Sequence, residues 1–192
     1  MPSLRLSNDI NSGDRTLAES TLHRHLFNAS QAFVNGTNPE CYVLIGELAV
    51  SYYAKPRYTT DAELLFAAET DLPVRVTGFT GLDDRSFQHD ESKLMIAMLS
   101  PASLELDGEQ MRKIFATSVK HAGLFIASPE GLIALQLRRQ SYNDLATIAA
   151  LLLRRTIDMS AWQLSPRELA TLARVTASPP HAKPYEPNLS PP

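Results

Sequence analysis

The sequence has a single cysteine, Cys41, in 192 residues, so neither an internal disulfide nor a cysteine-built zinc cluster is open to it. It has no excess of basic charge either: 18 Lys and Arg stand against 21 Asp and Glu, a net charge of −3. A chain of that balance does not hold a nucleic-acid backbone non-specifically. Long hydrophobic runs are missing as well. The longest mainly apolar stretch, residues 145–153, covers nine positions between Asp144 and Arg154, far short of the roughly 20 that span a bilayer. No Gly-x-Ser-x-Gly elbow, P-loop or dinucleotide glycine fingerprint occurs, which removes three enzyme classes. The first residues show no basic-then-apolar leader pattern, and with the lone cysteine this makes the cytoplasm the expected location.

What is present is the composition of a globular chain, 44% hydrophobic and 20% charged, with room for one domain and a helical appendage. Thirteen prolines are unevenly spread, six of them within residues 178–192. Fixed φ and missing donors exclude continuous secondary structure there, so a mobile tail is expected. Residues 1–14 are polar and are expected to be mobile too. Helical spacing starts near Arg15, with Leu17, Leu22, Leu26, Ala29 and Phe33 on one side, and is expected to stop near Gly36.

A short apolar run at residues 41–45 reads as a buried strand before Gly46 turns the chain. A helix over 47–54 and a second apolar run over 62–66 follow. Strands are expected at 74–77 and 93–99, separated by turns at Gly78, Gly81 and Asp83-Asp84. From Asp107 the spacing turns helical, with helices over 108–119, 129–138, 143–155 and 166–174 and a small strand at 124–127. Ser128-Pro129 and Ser165-Pro166 each place a capping Ser before a first-turn Pro. The expected fold is therefore α+β: a mixed-sheet core over 15–106, then a mainly helical part over 107–177.

The stretch with chemistry in it is residues 42–66, YVLIGELAVSYYAKPRYTTDAELLF. Asp61 and Glu63 stand two apart at the opening of a strand, so their carboxylates share a face. Like charges that close raise each other's pKa unless a cation intervenes, and paired hard oxygens suit Mg²⁺. Gly46, at the preceding strand-to-helix turn, lets backbone and ligand approach, and the amides of that helix start suit a phosphate. Arg57 has two readings, a bidentate phosphate contact or an ion pair with Asp61.

This pattern resembles the nucleotidyltransferase superfamily of the polymerase-beta type, in which a glycine turn precedes an Asp-x-Asp/Glu pair on the next strand. Thirteen residues, 48–60, separate the two elements here. Arg57, Thr59, Thr60, Asp61 and Glu63 are similar to the AbiEii-like group associated with toxin-antitoxin systems. A weaker likeness extends through SPEGLIAL at 128–135, and the resemblance covers about 40–148. It implies transfer of a nucleoside monophosphate from an NTP to a hydroxyl, with Asp61 and Glu63 as catalytic Mg²⁺ ligands. Gly46, Glu47, Arg57 and Thr60 would lie on the nucleotide side.

Four positions depart from that pattern. Glu47 replaces the second small residue of the turn and brings negative charge toward a triphosphate. Ala97 stands where a later strand supplies the third metal carboxylate, with Asp90 and Glu91 as the nearest acids. Gln136 replaces a lysine, and Thr147-Ile148 an Asp-Ile pair. NTP binding is therefore expected to be weak or lost, and the alternative is an inactive member acting as the regulatory partner of another protein. The remaining candidates have plainer roles. His23 and His25 point to different helix faces, His89 belongs to a turn and Cys41 to the core, while Arg138-Arg139 and Arg154-Arg155 complement helix ends.

Overall fold

The computed structural model describes residues 21–35, 41–55 and 59–177. The expectations for residues 1–20, for a helix stop near Gly36, for Arg57 and for the tail at 178–192 lie outside the described residues. Helix α1, Thr21–Val34, buries Leu26, Phe27, Ala29, Phe33 and Val34, as its spacing requires. His23 falls on this buried side while His25 is exposed. Strand β1, Tyr42–Ile45, is fully buried and passes directly into α2, Gly46–Tyr53. Strand β2, Asp61–Phe66, follows.

The next elements correct the expected pattern. No strand forms over 74–77, and Val74 is 89% exposed. The strands are instead β3, Phe79–Asp83, and β4, Ser86–His89, paired antiparallel. Gly81 therefore lies within β3 rather than in a turn. β5 runs Met95–Leu99 and starts two residues later than expected, because Lys93 takes a left-handed φ of 60° that ends the preceding turn. Helix α3, Gly108–Ala116, is capped by Asp107, whose carboxylate accepts from the Glu109 and Gln110 amides. It stops short of Val119, which opens the small strand β6, Val119–His121; the expected helix over 108–119 had run into this strand.

Strand β7, Leu124–Ile126, then precedes α4, Pro129–Arg139, α5, Tyr142–Arg154, and α6, Pro166–Ala177. Ser128 accepts from the Gly131 amide and Ser165 from the Glu168 amide, the two caps visible in the sequence. The seven strands of the described residues join one sheet in the order β3-β4-β5-β2-β1-β7-β6. The pairs β2–β5 and β1–β7 are parallel and the others antiparallel. Among the described residues the fold is thus a mixed sheet with six helices, and the later part returns a hairpin to that sheet before α4, α5 and α6.

Alternation along β2 separates two faces. Ala62, Leu64 and Phe66 are buried, the first two in register with Ile96 and Met98 of β5. Phe87, across from Ile96, carries that face to Phe33 of α1, with ring centroids 5.2 Å apart. Asp61 and Glu63 occupy the other face, where α1 does not lie. Among the described residues no helix is long and apolar enough to cross a membrane.

Candidate functional site

A cleft of ≈ 430 Å³ opens on that other face, lined by Glu47, Thr59, Asp61, Glu63, Arg139, Ser141, Asn143 and Asp144. Asp61 and Glu63 come together as their spacing predicts, and Glu47 joins them from the first turn of α2. Gly46 lies beneath: it has φ +71°, and a Cβ built there would meet Glu63 Oε2 at 2.2 Å. The glycine is required twice, for its left-handed backbone and for the carboxylate packed against it.

Thr60 does not line the cleft; it is exposed, and its carbonyl accepts from the Met95 amide. Its neighbour Thr59 lines the cleft instead, donating its hydroxyl to Asp61 Oδ1 at 2.7 Å. Asp90 and Glu91, the nearest acids to β5 in the sequence, are not cleft residues. Asp90 accepts instead from the Thr80 hydroxyl at 2.7 Å within the β3–β4–β5 region. Ala97 pairs in register with Glu63, so the position beside Glu63 on β5 carries no ligating atom.

Two charged cleft residues come from far along the chain. Arg139 ends α4, and Gln140, with φ 55°, turns the chain to Ser141, the cap of α5. Its guanidinium reaches Glu63 Oε1 at 3.7 Å, Asp144 Oδ1 at 3.4 Å and Gln136 Oε1 at 3.4 Å. The other oxygen of Asp144 accepts from the Ser141 amide at 2.8 Å and completes a capping box. Arg138, the residue before, instead bonds the Glu105 carbonyl and approaches Glu168. Glu47 Oε1 accepts from Thr147 at 2.7 Å, which ties α2 to α5.

The cleft therefore gathers four carboxylates and one guanidinium, which reaches two of them, Glu63 and Asp144. Burial is the main cause that raises the Glu63 pKa; Arg139 pulls against it, and Asp61, Glu47 and Asp144 add to the rise. Because folding lifts Glu63 above its ordinary 4.5, the folded chain holds that proton more tightly than the unfolded one. Ionised Glu63 thus subtracts from stability at pH 7, and the deficit vanishes as pH falls below that ordinary value. Glu63→Gln is accordingly expected to melt at a higher temperature than the wild type at pH 7, with the difference closing toward pH 4. A lower melting temperature at pH 7 would mean that the Arg139 pair outweighs burial.

The donor set does not suit the magnesium ion that the resemblance implies. Mg²⁺ asks for near-octahedral oxygens at roughly 2.0–2.1 Å, and among the described residues no three Asp, Glu, His or Cys side chains are placed to hold one ion. Glu63 faces Arg139 and packs on Gly46, Asp144 is divided between Arg139 and the Ser141 amide, and Asp61 and Glu47 each accept from a threonine. Compared with protein-family models and with the curated proteins, the chain matches none.

Proposed function

We propose that this chain is a nucleotidyltransferase-like protein that has given up nucleotidyl transfer and acts by binding, as a regulatory partner of the toxin-antitoxin kind. The observation that carries this reading is the state of Glu63: its carboxylate is engaged by Arg139, and its neighbour on β5 is Ala97. Two-metal transfer needs carboxylates that bridge both ions and activate the attacking hydroxyl. Here Glu63 faces a guanidinium and Ala97 supplies no third carboxylate, which argues against that chemistry.

The second reading is an active enzyme, moving a nucleoside monophosphate from an NTP to a hydroxyl with Asp61 and Glu63 on Mg²⁺. Its support is the close packing of Glu63 over the Gly46 turn, the juxtaposition on which the sequence resemblance rests. Incubation with each labelled NTP, Mg²⁺ or Mn²⁺ and RNA or protein acceptors separates the two. Incorporation no higher than that of Asp61→Asn is expected. Robust incorporation by the wild type, lost in Asp61→Asn, would establish the enzyme instead.

A further inference from the structure

The disagreement between the acidic cleft and the metal has a chemical resolution on α4. Arg139 is the last residue of that helix, and its guanidinium contacts carboxylates from β2 and α5 at 3.7 and 3.4 Å. A guanidinium stays protonated at every pH a protein survives and presents its donors in a rigid planar fork. A divalent ion needs the same lone pairs at much shorter range and would be repelled by a positive charge a few ångströms away. The Gln136 side chain, only 3% exposed, accepts from the same guanidinium and steadies it from behind.

We infer that Arg139 is the resident cation of this cleft, standing in for a divalent metal, so that the wild-type site excludes Mg²⁺ and Mn²⁺ while Arg139 is in place. The inference deepens the reading of the cleft as a reduced nucleotidyltransferase-type site. The chain keeps the carboxylates and offsets part of their charge with its own side chain. Half of the Arg139 side chain is exposed, 48%, so the charge can be removed without opening a cavity in the core.

Mn²⁺ alone is the probe, followed by titration calorimetry and by the paramagnetic signal of the free ion. The wild type is expected to bind Mn²⁺ weakly, with a Kd in about the millimolar range or above. Arg139→Gln is expected to bind at least about tenfold more tightly as the positive charge is removed, and the double variant Arg139→Gln with Glu63→Gln to return to the wild-type level. Arg139→Lys keeps the charge and is expected to stay weak, with thermal melts confirming that each variant is folded. Stoichiometric sub-millimolar Mn²⁺ binding by the wild type would overturn the inference, as would equal affinities in wild type and Arg139→Gln. No nucleotide enters this measurement. A wild type that transfers labelled nucleotide would end the proposed function, whereas an Arg139-independent Mn²⁺ affinity in a chain without transfer would end this inference alone.

Discussion

Phe33→Ala is expected to lower stability by about 3–5 kcal/mol, the cost of truncating a fully packed phenylalanine. Phe33 is 2% exposed and meets Phe79 edge-on at 5.1 Å and Phe87 at 5.2 Å. Those rings come from β3 and β4, the hairpin at one end of the sheet, so a single α1 side chain fastens that hairpin to the helix. Edge-to-face pairs add about 0.5–1.5 kcal/mol beyond area burial, which places the loss toward the upper part of the range. For a chain of this length each kcal/mol corresponds to about 2–4 °C in Tm, so the melting temperature should fall by about 6–20 °C. Hydrogen exchange should rise first in β3 and β4, because their apolar anchorage is mainly Phe79 and Phe87. The Glu63–Arg139 pair lies on the opposite face and should persist. A loss below about 1 kcal/mol would show that α1 does not clamp the hairpin.

The same hairpin shows where the sequence stopped being readable. β1 and β2 are short apolar runs bounded by Gly46 and by the Asp61 opening, and both appear where those signals put them. The caps at Ser128 and Ser165 are local chemistry and were equally legible. β3 reads Phe-Thr-Gly-Leu-Asp with only Phe79 buried, so it lacks the alternation that marks a strand. Val74, in the segment expected to be strand, has β-propensity but is almost wholly solvent-exposed. β6 is a three-residue edge with Val119 and Lys120 exposed, and its pairing with β7 leaves no apolar trace in the sequence.

The cleft divides in the same way. Asp61, Glu63 and Gly46 are close in sequence, and their spacing announced them. Arg139 and Asp144 are remote from Glu63 along the chain and meet it only because β2, α4 and α5 are packed together. Each also has a complete local role, Arg139 at a helix end and Asp144 as the partner of Ser141, so no local signal marked either for the cleft. Glu47 and Thr147 were legible only as two separate departures from the resembled pattern. The structure joins them through a 2.7 Å hydrogen bond. A carboxylate introduced at 47 would repel one at 147, and a threonine there supplies a donor instead. The charge at Glu47 is thus held against α5 by a bond the sequence did not reveal.

Gly46→Ala tests the strand-to-helix turn on which the whole site is built. Gly46 has φ +71°, and holding an alanine in left-handed backbone costs about 1–2 kcal/mol. The new methyl would also overlap Glu63, whose Oε2 and Cδ stand 2.2 and 2.9 Å from the Cβ position. The atoms nearest that Cβ all belong to the Glu63 side chain, so the side chain is the part that yields, at a rotamer cost of about 0.5–1.5 kcal/mol. The combined loss is about 1.5–3.5 kcal/mol, or about 3–14 °C in Tm. Its second consequence is specific to the cleft. Glu63 must leave Arg139, so the guanidinium loses one of its two carboxylates and relaxes toward Asp144. The side-chain Nε resonance of Arg139 should therefore shift in Gly46→Ala as it does in Glu63→Gln, while Phe33→Ala leaves it in place. An alanine variant that melts with the wild type and keeps the Arg139 signal would show that the turn tolerates a side chain and that Glu63 does not rest on Gly46.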